Sequence, residues 1–272
     1  RDRYEPLIVI LFRMIKMNEL TVIVPAHNEA RCLEKNMLNL VSHLNKLRVP
    51  YNVIIVEDGS NDGTHDVASK ISSKIPQVKT IHIQNRIGKG TAINNALKNV
   101  RHGHIVIMDA DLAANFKCLP ELIRTARDSG GVALGSRFIA GANTRRPLRR
   151  TIASRIFNLI VNLLFRTEIR DHQCGFKAFG KNILDKILPN MRNSYWIWDS
   201  EFIIRAQRAG YQTVEIPVVW REPRHESPLL RITPRMIIEL FLTFFHLGPS
   251  IHPRCEGIEP KAKRFPSYLI PQ

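Results

Sequence analysis

Asp109 and Asp111 stand one residue apart at the end of a short apolar run, His104-Ile105-Val106-Ile107-Met108. A run of that length reads as a buried strand. It delivers two carboxylates to the carboxyl edge of a sheet, where open α/β folds bind ligands. Carboxylates this close repel one another, and a divalent cation relieves the repulsion. Mg²⁺ or Mn²⁺ takes one or two protein carboxylates and leaves its remaining positions to water and substrate phosphates. Asp109 and Asp111 are therefore the candidate metal ligands. The alternative for Asp111 is a cap ahead of a helical segment at Lys117–Ser129.

The elements around this pair follow one rhythm. Thr21–Pro25 is a β-branched run, and the next segment places Leu33, Met37, Leu40, Val41, Leu44 and Leu47 on one helical face. Val53–Val56 is a second strand, closed by Glu57-Asp58-Gly59-Ser60-Asn61-Asp62-Gly63-Thr64, with Thr64 expected to cap a helix. Val78–Ile83 gives a third strand, Ala92–Val100 a helix, and Val132–Gly135 a strand after the 117–129 helix. Strand and helix in alternation predict an α/β fold, a mostly parallel sheet with helices on both faces. The loops that follow the strands then share one edge. Pro25–Glu29, Asp58–Gly63, Asp109–Asp111 and Ser136-Arg137 are expected to converge there. Carboxylates for a metal and for ribose or base hydroxyls, with a guanidinium for phosphate, suit a nucleoside diphosphate.

Two rival motifs fail on spacing. Asp58–Gly63 imitates the start of a calcium loop, but Ser69 stands where the final Glu belongs and a strand precedes it. Gly88-Lys89-Gly90-Thr91 imitates a phosphate loop, but Ile83 stands where its first Gly belongs. Composition narrows the function class. Lys and Arg number 40 against 24 acidic residues, a net charge of +16 that favours an anionic partner. Nucleic acid is set aside, because no recognition-helix, RNP-like or zinc-finger pattern occurs and carboxylates sit where phosphates would approach. Cys32, Cys118, Cys174 and Cys255 are scattered, which predicts neither a zinc site nor a disulfide framework, and a reducing compartment.

Several motifs in order carry a resemblance. Val24-Pro25-Ala26-His27-Asn28-Glu29, Glu57–Thr64, Gly88-Lys89-Gly90, Asp109-Ala110-Asp111 and Gly135-Ser136-Arg137-Phe138 resemble, in sequence order, the family 2 glycosyltransferases. That family has the GT-A fold, a Rossmann-type nucleotide-sugar-binding domain. Asp171-His172-Gln173-Cys174-Gly175-Phe176-Lys177-Ala178-Phe179 and Trp198-Asp199-Ser200-Glu201 resemble the polyprenyl-phosphate sugar synthases, the dolichyl-phosphate glucose synthase branch above all. The likeness spans roughly Leu20 to Trp220. It implies that Pro25, Ala26, Glu29 and Asp58 hold the nucleoside, with Asn28, Lys89 and Ala110 in the same motifs. It implies that Asp109 and Asp111 hold the metal on the donor diphosphate and that Arg137 lies near the phosphates. The expected donor is UDP-glucose, with GDP-mannose the alternative. Asn28 as a helix cap, Asp62 as a turn residue and Pro25 as a strand terminator remain the plain structural readings.

The second half changes character. Arg145, Arg146, Arg149 and Arg150 lead into Thr151–Phe165, apolar over most of its circumference except a stripe of Arg155, Asn158, Asn162 and Arg166. Thr233–His246 repeats the design, with Arg235, Glu239, Thr243 and His246 as its stripe. Both fall short of the ~20 residues needed to span a bilayer. They suit helices lying in the membrane interface, or else core helices or a dimer contact. The expectation is peripheral attachment to the cytoplasmic face, with no integral anchor unless one lies outside this chain.

A lipid phosphate acceptor fits this surface. Its second pKa near 6 leaves it largely deprotonated at neutral pH, so it needs positioning and charge screening more than a base. Arg149 and Arg150 are the candidates for the acceptor phosphate, and Asp171 and Gln173 for the sugar or acceptor pocket. Asp111, Asp171 and Asp199 are the candidate catalytic residues, with Asp199 the base if one is required and a helix cap otherwise. A transferase acting on a saccharide or protein hydroxyl would make that base essential. Two departures from the family pattern stand out: His27 for a more usual Tyr, and Glu226-Ser227-Pro228 where a Gly-Ser-Lys-like loop is expected. The domains read as an extension at residues 1–17, a catalytic domain at 18–223 with an amphipathic insertion at 145–166, and a helix with an irregular basic tail at 224–272. Met14 or Met17 is the expected natural start.

Overall fold

Seven strands form one sheet, in the order β3 (Val78–Ile83), β2 (Tyr51–Asp58), β1 (Leu20–Ala26), β4 (His104–Met108), β7 (Phe176–Gly180), β5 (Val132–Ser136) and β8 (Thr213–Pro217). The structure, a computed structural model, describes residues 19–192, 195–222 and 234–248. The 1–17 extension, the Glu226-Ser227-Pro228 loop and the tail beyond residue 248 lie outside the described residues. A parallel pair, β6 (Asn143–Arg145) with β9 (Val219–Arg221), stands beside the sheet. Helices α1 (Ala30–Leu47), α2 (Thr64–Lys74), α3 (Lys89–Leu97), α4 (Leu119–Ser129), α5 (Leu148–Phe165), α6 (Lys181–Ile187), α7 (Trp198–Arg208) and α8 (Pro234–Leu247) complete the described elements.

The period-2 pleat explains how the sheet is covered. Leu20, Val22 and Val24 of β1 join a core with Leu33, Met37, Leu40 and Leu44 of α1 and Leu122 of α4. Ile23, between them, points to the opposite core with Ile93 and Leu97 of α3, Leu184 of α6 and Trp198 and Phe202 of α7. Strands buried on both faces are the signature of a helix-covered parallel sheet.

One strand breaks the parallel rule. β7 runs antiparallel between β4 and β5, with Met108 opposite Phe176 and Leu134 opposite Lys177. It therefore enters the sheet from the edge where the parallel strands end. The segment before it, residues 171–175, is delivered to the same edge as Asp109. The mostly parallel sheet stands as expected, but this inserted strand was not foreseen.

Several helix starts are corrected. Thr64 does not cap α2: it lies within the helix, and Asp62 Oδ1 accepts its backbone N–H at 3.0 Å. α4 begins at Leu119, after a 3₁₀ turn at Phe116–Cys118. Asp111 caps no helix; its Oδ1 accepts from Ala113 N at 3.0 Å in a local turn. Asp199 falls inside the first turn of α7, one residue past Trp198.

The two arginine-flanked helices are arranged in an informative way. Phe157, Val161 and Phe165 of α5, Leu240 of α8 and Ile204 of α7 form a third small core. The two asparagines of the α5 stripe turn inward while Arg155 and Arg166 at its ends stay exposed: Asn158 is buried, and the Asn162 side chain donates to Ile169 O at 3.0 Å. On α8, Thr243 is likewise buried. The outward faces carry Leu148, Ile152, Ile156, Leu159 and Leu163 from α5 and Ile237, Ile238, Phe241, Leu242 and Phe245 from α8, all exposed. Among the described residues no helix is long and apolar enough to cross a membrane.

Candidate functional site

The first two loops are stitched together by short polar contacts. Asn28 takes a left-handed backbone, φ 58°, that turns its peptide toward the second loop. Its N–H donates to Ser60 Oγ at 3.0 Å, and its side-chain oxygen accepts from Asn61 N at 3.0 Å. Glu29 N donates to Thr64 Oγ1 at 2.8 Å and Ala30 N to Asp62 Oδ2 at 3.1 Å. His27 Nδ1 lies 2.7 Å from the Asp58 carbonyl oxygen. Pro25 and the buried Ala26 close β1 immediately before these contacts.

Asp58, at the end of β2, holds a third loop. Its two carboxylate oxygens accept from Ile87 N at 2.8 Å and Gly88 N at 3.0 Å. Gly59 permits that approach: with φ +60°, a Cβ there would sit 2.4 Å from Arg86 N. The third loop in turn opens α3, whose first residue is Lys89.

Lys89 reaches the acidic pair. Its Nζ lies 2.7 Å from Asp109 Oδ1 and 4.0 Å from Asp199 Oδ2. Lys177 Nζ, fully buried on β7, lies 2.7 Å from Asp199 Oδ1 and also donates to the Cys174 carbonyl. Charges thus alternate along Asp109, Lys89, Asp199 and Lys177. Burial alone would lower the Lys89 ammonium, yet Asp109 and Asp199 outweigh it and hold it above its ordinary value.

The carboxylates themselves are crowded. Burial, then the neighbouring Asp109, push Asp111 up to about 6. Glu29 is also raised, by burial first and by Asp109 and Asp62. Ala110, between the two aspartates, is pinned by its carbonyl accepting from Asn36 Nδ2 at 2.8 Å. Hard oxygen donors whose burial and mutual repulsion raise their proton affinity form a set that a hard divalent cation fits. Asp109 and Asp111 would hold such an ion.

Arg137 and Asp171 occupy each other. Arg137 Nε and Nη2 donate to the two Asp171 oxygens, each at 2.7 Å, and Arg137 N adds a bond at 2.9 Å. Both are buried, and the guanidinium also lies 4.8 Å from the Trp220 ring centroid. Burial would raise the Asp171 carboxyl, but the paired guanidinium overrides it and lowers its pKa. In this arrangement the pair braces β5 against the segment before β7. Gln173 is half-buried in that segment. Arg149 and Arg150 lie in the first turn of α5, where Arg149 is exposed and Arg150 pairs with Glu222.

The structure thus gathers Pro25, Ala26, Asn28, Glu29 and Asp58 into one wall and Lys89, Asp109, Asp111 and Asp199 into a charged floor. Four residues were missed as functional parts. Gly175 allows Asp109 its place, since a Cβ there would lie 1.8 Å from Asp109 Oδ2. Lys177 anchors Asp199, and a lysine inside the apolar run Phe176–Phe179 was the available signal. His172, buried, donates from its backbone to Asn158 Oδ1 at 3.0 Å and ties α5 to the segment before β7. Glu215 accepts from Arg170 N and Asp171 N, both at 3.0 Å, with no sequence signal pointing to it.

Comparison with known proteins agrees with this geometry. The profile of glycosyl transferase family 2 matches residues 21–188. Glycosyltransferase AglD of Haloferax volcanii is 34% identical over 241 residues, covering 87% of this chain and 38% of that protein. A dolichyl-phosphate beta-glucosyltransferase of Trichomonas vaginalis is 30% identical over 215 residues, covering 75% of this chain and 66% of its own length. The chain therefore spans less than two thirds of each of these relatives. Among solved structures, a Pyrobaculum calidifontis mannosyltransferase in complex with GDP-Man and Mn²⁺ aligns over 90% of this chain and 71% of its own, with TM-score 0.59 and 19% identity. Glucosyl-3-phosphoglycerate synthase of Mycobacterium tuberculosis, bound to UDP, aligns over 92% and 87%, with TM-score 0.64 and 16% identity. These share the GT-A-like fold. With loop tips, acidic pair and motif order in agreement, the chain belongs to glycosyl transferase family 2.

Proposed function

We propose that this chain transfers a hexose, glucose by preference, from a nucleoside-diphosphate sugar to a polyprenyl or dolichyl phosphate at a membrane surface, with inversion at the anomeric carbon. The observation that carries the lipid acceptor is the outward apolar face shared by α5 and α8 beside an arginine-rich first turn. Such a face suits partial burial among lipid headgroups. The similarity to dolichyl-phosphate beta-glucosyltransferases supports the same reading.

The wall of Pro25, Ala26, Asn28, Glu29 and Asp58 receives the nucleoside. Asp109 and Asp111 hold a Mg²⁺ or Mn²⁺ ion, which when bound neutralises charge on the departing diphosphate. Lys89 lies against Asp109 and adds a second positive charge beside that leaving group. Asp199, fixed by Lys177, positions Lys89. Arg137 and Asp171 hold the segment carrying Gln173 against β5, where it lines the sugar side. Arg149 and Arg150 take the acceptor phosphate. An acceptor oxygen attacks C1 while the bond to the diphosphate breaks. That phosphate is already mostly ionised at neutral pH, so no side chain must remove a proton.

Labelled UDP-glucose and GDP-mannose, each offered with detergent-dispersed polyprenyl phosphate, test the reading. Label enters lipid from UDP-glucose, and EDTA abolishes it. Label from GDP-mannose alone reassigns the donor, and transfer from neither rejects the lipid acceptor.

A further inference from the structure

Glu57, His65 and His82 form a second polar cluster outside the acidic floor. Glu57 and His82 are register partners on the parallel strands β2 and β3, so their side chains share a face. Asp58 follows Glu57 and points to the other face. His65, second residue of α2, comes down on the same spot. His82 Nδ1 lies 2.5 Å from Glu57 Oε2, and the two imidazole centroids are 3.9 Å apart with planes tilted by 42°. One potential ligand atom from each of the three residues lies within 4.8 Å of the others.

The remaining valences are informative. Glu57 is fully buried, and its Oε1 already accepts from Ser60 N at 2.5 Å. Oε2 is the oxygen turned toward the histidines. His65 Nδ1 is buried and has no hydrogen-bond partner among the described residues. A buried polar atom without a hydrogen-bond partner is one that a bound ion can satisfy. One nitrogen from each imidazole and the Glu57 carboxylate lie close enough for a single cation to draw on all three.

We propose that Glu57, His65 and His82 bind one borderline-soft transition-metal ion of the Zn²⁺ type, at a site separate from Asp109 and Asp111. Two imidazole nitrogens and one carboxylate oxygen are a recurrent zinc donor set that leaves a fourth position open to water. The acidic pair offers only hard oxygens, so the two sites sort ions by donor type. The bound ion ties β2, β3 and the start of α2 together, directly behind the Asp58 loop. It is a clamp on the scaffold of the nucleoside wall and takes no part in sugar transfer.

The test uses the full chain without an affinity tag, saturated with Mg²⁺. Co²⁺ serves as the spectroscopic probe and Zn²⁺ competition against a chromogenic chelator gives affinity. One equivalent of Co²⁺ produces visible d–d absorption, and Zn²⁺ displaces it. H65N and H82N each lower Zn²⁺ affinity by at least about tenfold, since even outer-shell partners of metal ligands are worth that much. D109N/D111N leaves both readouts unchanged. Far-UV circular dichroism confirms that the variants are folded, and a Zn²⁺-induced rise in Tm seen in the parent and absent in H82N gives a second measure. Absence of d–d absorption in the parent, affinity unchanged in H65N and H82N, or loss of binding in D109N/D111N each overturns the proposal.

Discussion

Asp109 keeps its position because the chain opposite it lacks a side chain. A methyl group on residue 175 would lie 1.8 Å from Asp109 Oδ2, so G175A must displace the carboxylate. Misplacement of a catalytic group by about 1 Å costs around 100-fold. G175A is expected to lower kcat/KM for the sugar donor by that order, and a value near the parent's would show that Asp109 tolerates the shift. His172 makes a different prediction. Burial pulls its pKa from 6.5 to about 3. The unfolded chain therefore takes up a proton that the folded chain refuses between those values. Stability present above pH 6.5 is lost as pH falls through that window, by at most about 1.4 kcal/mol per pH unit. Between pH 7 and pH 5 the parent should lose about 2 kcal/mol more than H172N does. Urea unfolding of both proteins at both pH values checks it, and equal losses would count against a neutral buried ring.

At the scale of elements, α5 and α8 offer apolar side chains to the exterior with Leu163 72% and Phe245 78% exposed. Burying such a side chain is worth about 1.5–3 kcal/mol. L163E and F245E should each weaken co-sedimentation with anionic vesicles by about tenfold or more. Their Tm should stay near the parent's, because neither side chain contributes to the internal cores. A large fall in Tm would instead mark the face as part of the fold. These helices also show where sequence reading stops. Periodicity located the stripe but could not say which side faces the core, and polar outside holds for Arg155 and Arg166 but is reversed for Asn158 and Asn162. What turns the stripe inward is a set of buried partners, His172 and Thr167, supplied by chain outside the helix. The alternating strands and helices of the first half, by contrast, were legible because each is a local pattern. So were the loop tips, since a parallel sheet puts strand ends on one edge. β7 was not, because an antiparallel insertion depends on pairing with two strands distant in sequence. The Arg137–Asp171 pair was equally hidden: each residue looked available for ligand until both were seen together.

The whole molecule carries a net charge of +16. Each basic residue near an anionic leaflet contributes about 1 kcal/mol, and that attraction fades beyond a screening length of about 8 Å in physiological salt. Vesicle binding should therefore weaken steadily as KCl is added, and salt-insensitive binding would leave the apolar faces as its sole cause. The join between α5 and the segment before β7 is of another kind. It consists of amide, hydroxyl and imidazole contacts among Asn158, Asn162, Thr167 and a His172 that stays uncharged at working pH. Ions in solution screen charges and leave such neutral bonds nearly untouched. On the proposed function, delivery to a membrane surface and the alignment of the segment before β7 are thus separable quantities. A salt concentration high enough to strip the protein from vesicles should leave that alignment standing, ready to act on an acceptor short enough to dissolve.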